Sequence, residues 1–379
     1  MKKPLRKSRL RTSAVFLILL FFPLFLSACT VKTGQPNVGI AETDSMELLQ
    51  GLSAAEAADL LVPQAPIKVG FVQVGHESDW RIASTKSCLE TFREENGYEL
   101  YFVDADNDPK KQVDAVRNFI RDRMDYIIID PILPTGWDAV LTEAYHAHIP
   151  VLLVDRTITC KERYYTAWFG SDFVLEGEYA GAWLEDYLER NGRGKETVRI
   201  VTINGTEGAS AQTGRTQGFA KYLDRHANWH HLAAESGDFT EAGGRQVMKS
   251  YLDRLTGIDV VVCQNDNEAL GACAALEEAG ISYGTDGDVI ILSFDATKAG
   301  LEAVLDGRIH ADFECNPLSA PYAADAIQKL EANKPLDVKK LELPERCFTN
   351  EDTPILLQTE NGSKWTVPVT KERIKSRAY

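Results

Sequence analysis

The run Val151-Leu-Leu-Val-Asp-Arg156 sets apolar residues against an abrupt acid–base pair, and Tyr126-Ile-Ile-Ile-Asp130 upstream has the same form. A strand wetted on one side alternates apolar and polar residues. An unbroken apolar run instead marks a strand buried on both faces, as in a parallel sheet covered by helices. Working outward, Ile67–Val74 and Glu99–Val103 read as strands before these runs, and Val198–Ile203, Val260–Gln264 and Val289–Phe294 as strands after them. Amphipathic stretches separate them. One covers Asp79–Asn96, and a second opens at Asp108 with Pro109 in the favoured first-turn position. Others cover Thr213–His226, Ala242–Leu255, Glu268–Ala279 and Ala299–Asp306. Repeated strand–helix alternation predicts an α/β protein with doubly wound parallel sheets, split near residue 170 into two lobes.

A chain of 379 residues is long enough for two domains, and 44% hydrophobic with 26% charged residues excludes wholesale disorder. The net charge of −15 argues against a nucleic-acid partner, which needs a cationic face. The N-terminus is different. Lys2, Lys3, Arg6, Lys7, Arg9 and Arg11 precede an uncharged apolar run from Ala14 to Ala28. That run is short of the roughly 20 residues needed to span a bilayer and has the form of a secretory signal, with an uncleaved anchor as the alternative. Leu26-Ser27-Ala28-Cys29 resembles the lipobox of bacterial lipoproteins. The resemblance implies a signal peptide over 1–28, cleavage before Cys29, and acyl chains on Cys29 that hold the protein at the outer face of the cytoplasmic membrane or in the periplasm. Residues 29–66 then form a tether, with a short helix over Ser45–Leu61.

Cys88, Cys263 and Cys273 fall inside predicted elements, where cysteine acts as a small hydrophobe. Cys160, Cys315 and Cys347 fall nearer loops, and an exported protein permits one bridge among them. Metal and cofactor motifs fail. No Cys-x-x-Cys pair occurs, and His226, His230 and His231 read as a solvated surface loop. Asp104–Pro109 starts like a calcium loop but has Pro109 in place of the glycine. Gly205, Gly208 and Gly214 are too scattered for a dinucleotide loop. No metal and no cofactor are expected.

In open parallel sheets, ligands bind beyond the carboxyl ends of the strands. Those ends carry Trp80 and Arg81, Asp155 and Arg156, Asn265 and Asp266, and Asp295, with Arg215 after a glycine-containing loop and Phe239 in a turn. Arginines donate, carboxylates accept and amides do both, a mixture suited to sugar hydroxyls. Trp80 and Phe239 could cover the C–H faces of a ring. A phosphate would call for cations without the acids. Plain structural roles compete at each position: Asp155 and Asp295 as helix caps, Asp155 and Arg156 as an ion pair, Trp80 as core, Phe239 as a turn aromatic.

The segments Gly70-Phe-Val-Gln-Val-Gly-His-Glu-Ser-Asp-Trp-Arg81, Val154-Asp-Arg156, Gly205-Thr-Glu-Gly-Ala-Ser210, Glu235-Ser-Gly-Asp-Phe-Thr240 and Asn265-Asp266 resemble the type I periplasmic sugar-binding proteins of the ribose-binding kind. Within that family the likeness is to the branch that binds galactofuranose for bacterial ABC importers. The resemblance implies two lobes, 67–169 with 317–344 and 170–316 with 345–379, joined by three crossing segments near Phe169, Glu314 and Glu345. It places sugar contacts on Asp155, Arg156, Arg215, Phe239, Asn265 and Asp295, and, from its nearer branch, on Glu77, Ser78, Trp80 and Arg81. Asp266 and, by a loose match, Glu314 complete the candidates. It implies a monomer that closes by hinge bending on a monosaccharide and docks on an ABC permease. The rivals are a receptor that signals to a sensor kinase or chemoreceptor, and a glycosidase using Asp155 and Asp295 as its acid–base pair. Neighbouring arginines should keep those carboxyls ionised, which suits a general acid poorly.

Overall fold

The computed structural model describes residues 65–379, so the leader with Cys29 and the tether up to residue 64 lie outside the described residues. The apolar runs form the centres of two sheets. Strands β1 (Ile67–Gln73), β2 (Tyr98–Asp104), β3 (Tyr126–Ile129), β4 (Val151–Asp155), β5 (Ala167–Gly170) and a later strand at Lys340–Glu342 make a parallel sheet. Its order, counting the late strand as β11, is β11-β5-β4-β3-β1-β2. Every residue of β3 and β4 is buried, as cover on both faces requires. Edge strand β2 is mostly half-exposed.

The second sheet contains β6 (Val198–Asn204), β7 (Trp229–Ser236), β8 (Val260–Cys263), β9 (Ile290–Asp295), β10 (Ala311–Glu314), β12 (Cys347–Thr349), β13 (Leu356–Gln358) and β14 (Ser363–Pro368). Its order is β13-β14-β12-β10-β9-β8-β6-β7, parallel except where β10 meets β12 and β13 meets β14. Helices flank both sheets: α1 (Asp79–Thr91), α2 (Pro109–Arg121), α3 (Asp138–His146), α4 (Phe173–Arg190), α5 (Ser210–Arg225), α6 (Glu241–Arg254), α7 (Asp266–Glu278), α8 (Lys298–Leu305), α9 (Ala320–Glu331) and α10 (Lys371–Ser376). Apolar side chains fill both faces of each sheet, giving the two doubly wound lobes that the alternation predicted. The chain leaves the first sheet between β5 and α4, returns between β10 and α9, and leaves again between β11 and β12.

Most helices begin at the strand ends with a capped N–H, which fixes the residues nearby. Ser78 accepts from the Arg81 backbone N–H, and Asp108, Asp172, Thr240, Asn265 and Thr297 cap α2, α4, α6, α7 and α8.

Two readings of the sequence need correction. His230 and His231 lie on β7, not in a loop, and His231 bonds Thr202 Oγ1 at 3.0 Å. His226 is also partly buried, stacked on Trp229 and bonded to Glu185 at 2.8 Å. No bridge joins Cys160, Cys315 or Cys347: all six described cysteines are free, and Cys315 and Cys347 are buried. The tail from Cys347 supplies β12, β13, β14 and α10 to the second lobe.

Helices α4 and α5 touch backbone to backbone through glycines. A Cβ on Gly218 would stand 2.0 Å from the Val174 carbonyl oxygen, and one on Gly177 would stand 2.2 Å from that of Arg215. Gly218→Ala should therefore force the helices apart and lower unfolding stability by about 1–3 kcal/mol, read from the urea midpoint. An unchanged midpoint would mean that the helices slide freely.

Candidate functional site

The carboxyl ends of the two sheets face each other across a small cavity. From the first lobe Glu77, Ser78, Trp80, Arg81, Asp155 and Arg156 line it, and from the second Arg215, Phe239, Asn265 and Asp295. Ten candidate positions far apart in sequence thus share one hollow. The rims also touch: the Asp79 N–H donates to Asn267 Oδ1 at 3.1 Å, and the Thr157 N–H donates to Ser210 Oγ at 3.0 Å. The jaws are closed.

Two candidates are placed elsewhere. Asp266 turns into the second lobe, where it accepts from Ser293 Oγ at 2.6 Å and from the Thr297 N–H and hydroxyl, each at 2.7 Å. Glu314 is engaged from the tail by Arg377 at 2.8 Å and by the Tyr379 hydroxyl at 2.7 Å. Phe173, Ala211 and Cys315 also line the cavity, though the sequence reading missed them. Phe173 and Cys315 lie where the chain passes between lobes, outside the strand-end rule. Ala211 has no chemistry to flag it. Trp80 is fixed by its indole N–H, which donates to the Cys315 carbonyl at 2.7 Å.

Each lobe holds one arginine clamped by acids. Arg81 pairs with Asp130, with Asp155 at 3.2 Å and with Glu77 at 3.2 Å, all almost wholly out of water. Burial opposes the charge on Glu77, yet Arg81 and Arg156 hold its carboxyl below the usual carboxylate range. Arg215 donates to Glu176 at 2.7 Å, to Asp295 at 3.2 Å, and to the Gln264 carbonyl. Burial outweighs Arg215 at Asp295 and pushes its carboxyl up to about 8. At Asp295 burial therefore works against the neighbouring arginine, which alone would favour the ionised form.

Arg156 is different. It is 2% exposed, its Nε has no hydrogen-bond partner, and its nearest acid, Asp155, stands at 3.8 Å. One N–H reaches the Ile132 carbonyl at 3.4 Å, and the guanidinium lies over the Phe239 ring at 5.3 Å. Burial and Arg81 lower its pKa. Its donors are directed at the cavity and largely unused.

The backbone is strained here. Asp155, Asp238, Phe239, Asp295 and Ala296 have φ of 58°, 55°, 60°, 99° and 53°, a region that side-chain-bearing residues seldom adopt. Such strain persists only where the surroundings enforce it, and it concentrates at working sites. Phe239 can lie where it does because Gly205 has no Cβ: one there would fall 1.9 Å from the ring. Asn265 has local duties as well, capping α7 and donating to the Phe239 carbonyl at 2.9 Å.

Residues 69–332 match the periplasmic binding protein domain. This chain belongs to that family. It is 35% identical to the galactofuranose-binding protein YtfQ of Escherichia coli (strain K12) over 82% of this chain and 94% of that protein. It is 31% identical to the ribose import binding protein RbsB of the same organism, over 68% of this chain and 84% of the relative. A solved structure from Mycobacterium smegmatis in complex with β-D-fucofuranose superposes with a TM-score of 0.71 at 40% identity, covering 75% of this chain and 91% of that one. The family identification and the two-lobed fold expected from the sequence both hold.

The two first-lobe arginines should separate in stability measurements. Arg81→Ala leaves buried carboxylates without their cation and should cost about 3–5 kcal/mol of folding stability. Arg156→Ala removes a cation with few partners and should change stability by less than about 1 kcal/mol. Chemical denaturation of both variants measures the contrast, and equal losses would contradict it.

Proposed function

We propose that this chain is the extracytoplasmic binding protein of an ABC importer, closing its two lobes on one neutral monosaccharide, with furanose rings as the preferred class. The observation that carries this reading is Arg156: a buried guanidinium with an unpartnered Nε, facing a cavity whose other polar groups are mixed donors and acceptors. A cation left so poorly satisfied in a closed cavity calls for a ligand acceptor to complete it. Two of the three relatives, the galactofuranose-binding protein and the structure in complex with β-D-fucofuranose, support the furanose class, and the third imports ribose.

In this reading Glu77, Asp155 and Asp295 accept from sugar hydroxyls, while Arg81, Arg156, Arg215 and Asn265 donate. Trp80 and Phe239 cover the ring faces, with Ser78 at the cavity wall. In the same reading the lobes run over 67–169 with 317–344 and 170–316 with 345–379, hinged at their three crossings. Binding alone, without turnover, is the function. Closure buries every hydroxyl against a partner, so a sugar lacking one leaves a protein group unpaired, which discriminates strongly. Acyl chains on Cys29 would keep the clamp near its permease.

A thermal-shift screen over pentoses, hexoses and furanose-enriched galactose should find a sugar that raises the melting temperature. Arg156→Ala should keep the unliganded melting temperature and lose that rise. A sugar-induced rise equal to the parent's would remove Arg156 from the site.

A further inference from the structure

Behind the sugar cavity, the three segments that cross between the lobes meet at one side chain. Glu345 lies on the third crossing. Its carboxyl Oε1 accepts from the Ser171 hydroxyl on the first crossing and, at 3.1 Å, from the Asn316 backbone N–H on the second. Ser171 Oγ also lies 3.3 Å from Cys315 Sγ, which ties the first crossing to the second. The Asn316 side chain donates back to the Pro344 carbonyl at 3.2 Å, which ties the second to the third.

Among the described residues no ion pair reaches Glu345; its acidic neighbour is Glu176, and donor atoms of Glu176, Cys315 and Glu345 lie within 4.8 Å of one another. Glu176 is 4% exposed; Arg215 occupies its Oε2, and its Oε1 is buried without a partner. The other charged groups nearby are engaged or set apart. Asp172 caps α4, Glu314 is held by Arg377, and Lys364 lies over the Tyr179 ring at 5.1 Å. Glu342 and Arg346 line the outer part of the hinge cavity without pairing to Glu345. Although Glu345 is half-buried as a whole, its carboxyl is turned inward, and burial with the neighbouring acid favours its protonated form against Lys364 and the two hydrogen bonds it accepts. Burial, and after it Glu176, push Glu345 well above the usual carboxylate range, and burial pushes Glu176 up to about 7 against the pull of Arg215. A metal ion is a poorer occupant than a proton, because Arg215 sits on one oxygen of Glu176 and Glu345 Oε1 already accepts two hydrogen bonds.

We propose that Glu345 is a proton-carrying latch of the hinge: protonated, it can stay beside Glu176 while its bonds hold the three crossings in the closed arrangement, and on ionisation it repels Glu176 and favours the open one. Because Glu176 also holds Arg215, the latch is joined to the sugar cavity through a single residue. The sign follows from the shift. A carboxyl raised in the closed state binds its proton more tightly there than in a wetted, open hinge. Closure is therefore favoured at low pH and weakens as pH rises above the ordinary carboxylate range.

The test uses the purified full-length chain and Glu345→Gln, which keeps the acceptor oxygen and cannot ionise. Sugar-free protein should show an infrared band of a protonated carboxyl at pH 7 that is missing from Glu345→Gln, and a radius of gyration by X-ray scattering that grows between pH 5 and pH 8 more in the parent than in the variant. A band of equal intensity in both proteins, or parallel scattering profiles, overturns the latch. These readouts need no ligand, so they separate failure of the latch from failure of the sugar reading on which its functional consequence rests. With D-galactose as the probe, affinity should fall about tenfold more in the parent than in Glu345→Gln over the same range, the effect of one pKa unit between states. Equal falls would overturn the link to binding.

Discussion

The site depends on how this protein keeps charge out of water. A buried arginine is tolerable only when acids surround it closely, and Arg81 and Arg215 each meet that demand within their own lobe. Arg81 gathers groups from the ends of β3 and β4 and from the start of α1. Arg215, on α5, gathers Glu176 from α4 and Asp295 from the end of β9. Each inner face is thereby stiff and nearly neutral before any ligand arrives. Each also leaves oxygens and N–H groups at the cavity wall in fixed positions, so little ordering remains to be done on binding.

The backbone has been bent to the same end. Asp155, Phe239 and Asp295 hold left-handed conformations at the cavity, and the Phe239 ring needs the bare α-carbon of Gly205 beside it. Helices α4 and α5 approach through glycines, which brings Glu176 within reach of Arg215. Relaxing any of these would separate a charge from its partner. The strain at the strand ends and the tight helix contact therefore serve one electrostatic arrangement.

Much of this was legible in the sequence because parallel strands are apolar and end abruptly. Val151–Asp155 and Tyr126–Ile129 announce themselves, and the rule that ligands sit beyond such ends led to eight residues of one cavity, to which the family resemblance added Glu77 and Ser78. The rule failed where its premises did. Phe173 and Cys315 reach the cavity from the crossings, which no apolar period marks. Asp266 follows Asn265 in sequence, yet as the first residue of α7 it turns into the lobe to meet Ser293 and Thr297. Edge strand β7 gave no signal because one side chain, Trp229, is buried while most others face water. The short strands of the tail were invisible for a related reason: they are held by β10 and by one another, not by a pattern of their own. The upward push of burial on Asp295 was not legible, because adjacency to arginine is visible in a fold scheme, whereas desolvation depends on the full packing.

That last point bears on what the cavity accepts. With Asp295 pushed up to about 8, the second lobe presents a carboxyl that can donate as well as accept at neutral pH. In the first lobe Glu77 and Asp155 remain beside Arg81, while Arg156 has donors to spare. An anionic ligand would gain Arg156 but would be forced against Glu77 and Asp155 in a medium that screens little. A cationic one would meet three arginines. A polyhydroxyl ring without net charge suits both walls, because each hydroxyl can turn its proton toward an acid and its lone pairs toward an arginine or a protonated acid. The arrangement thus selects against charge by enclosing opposite charges that have already neutralised one another, and leaves shape and hydroxyl stereochemistry to decide among neutral sugars.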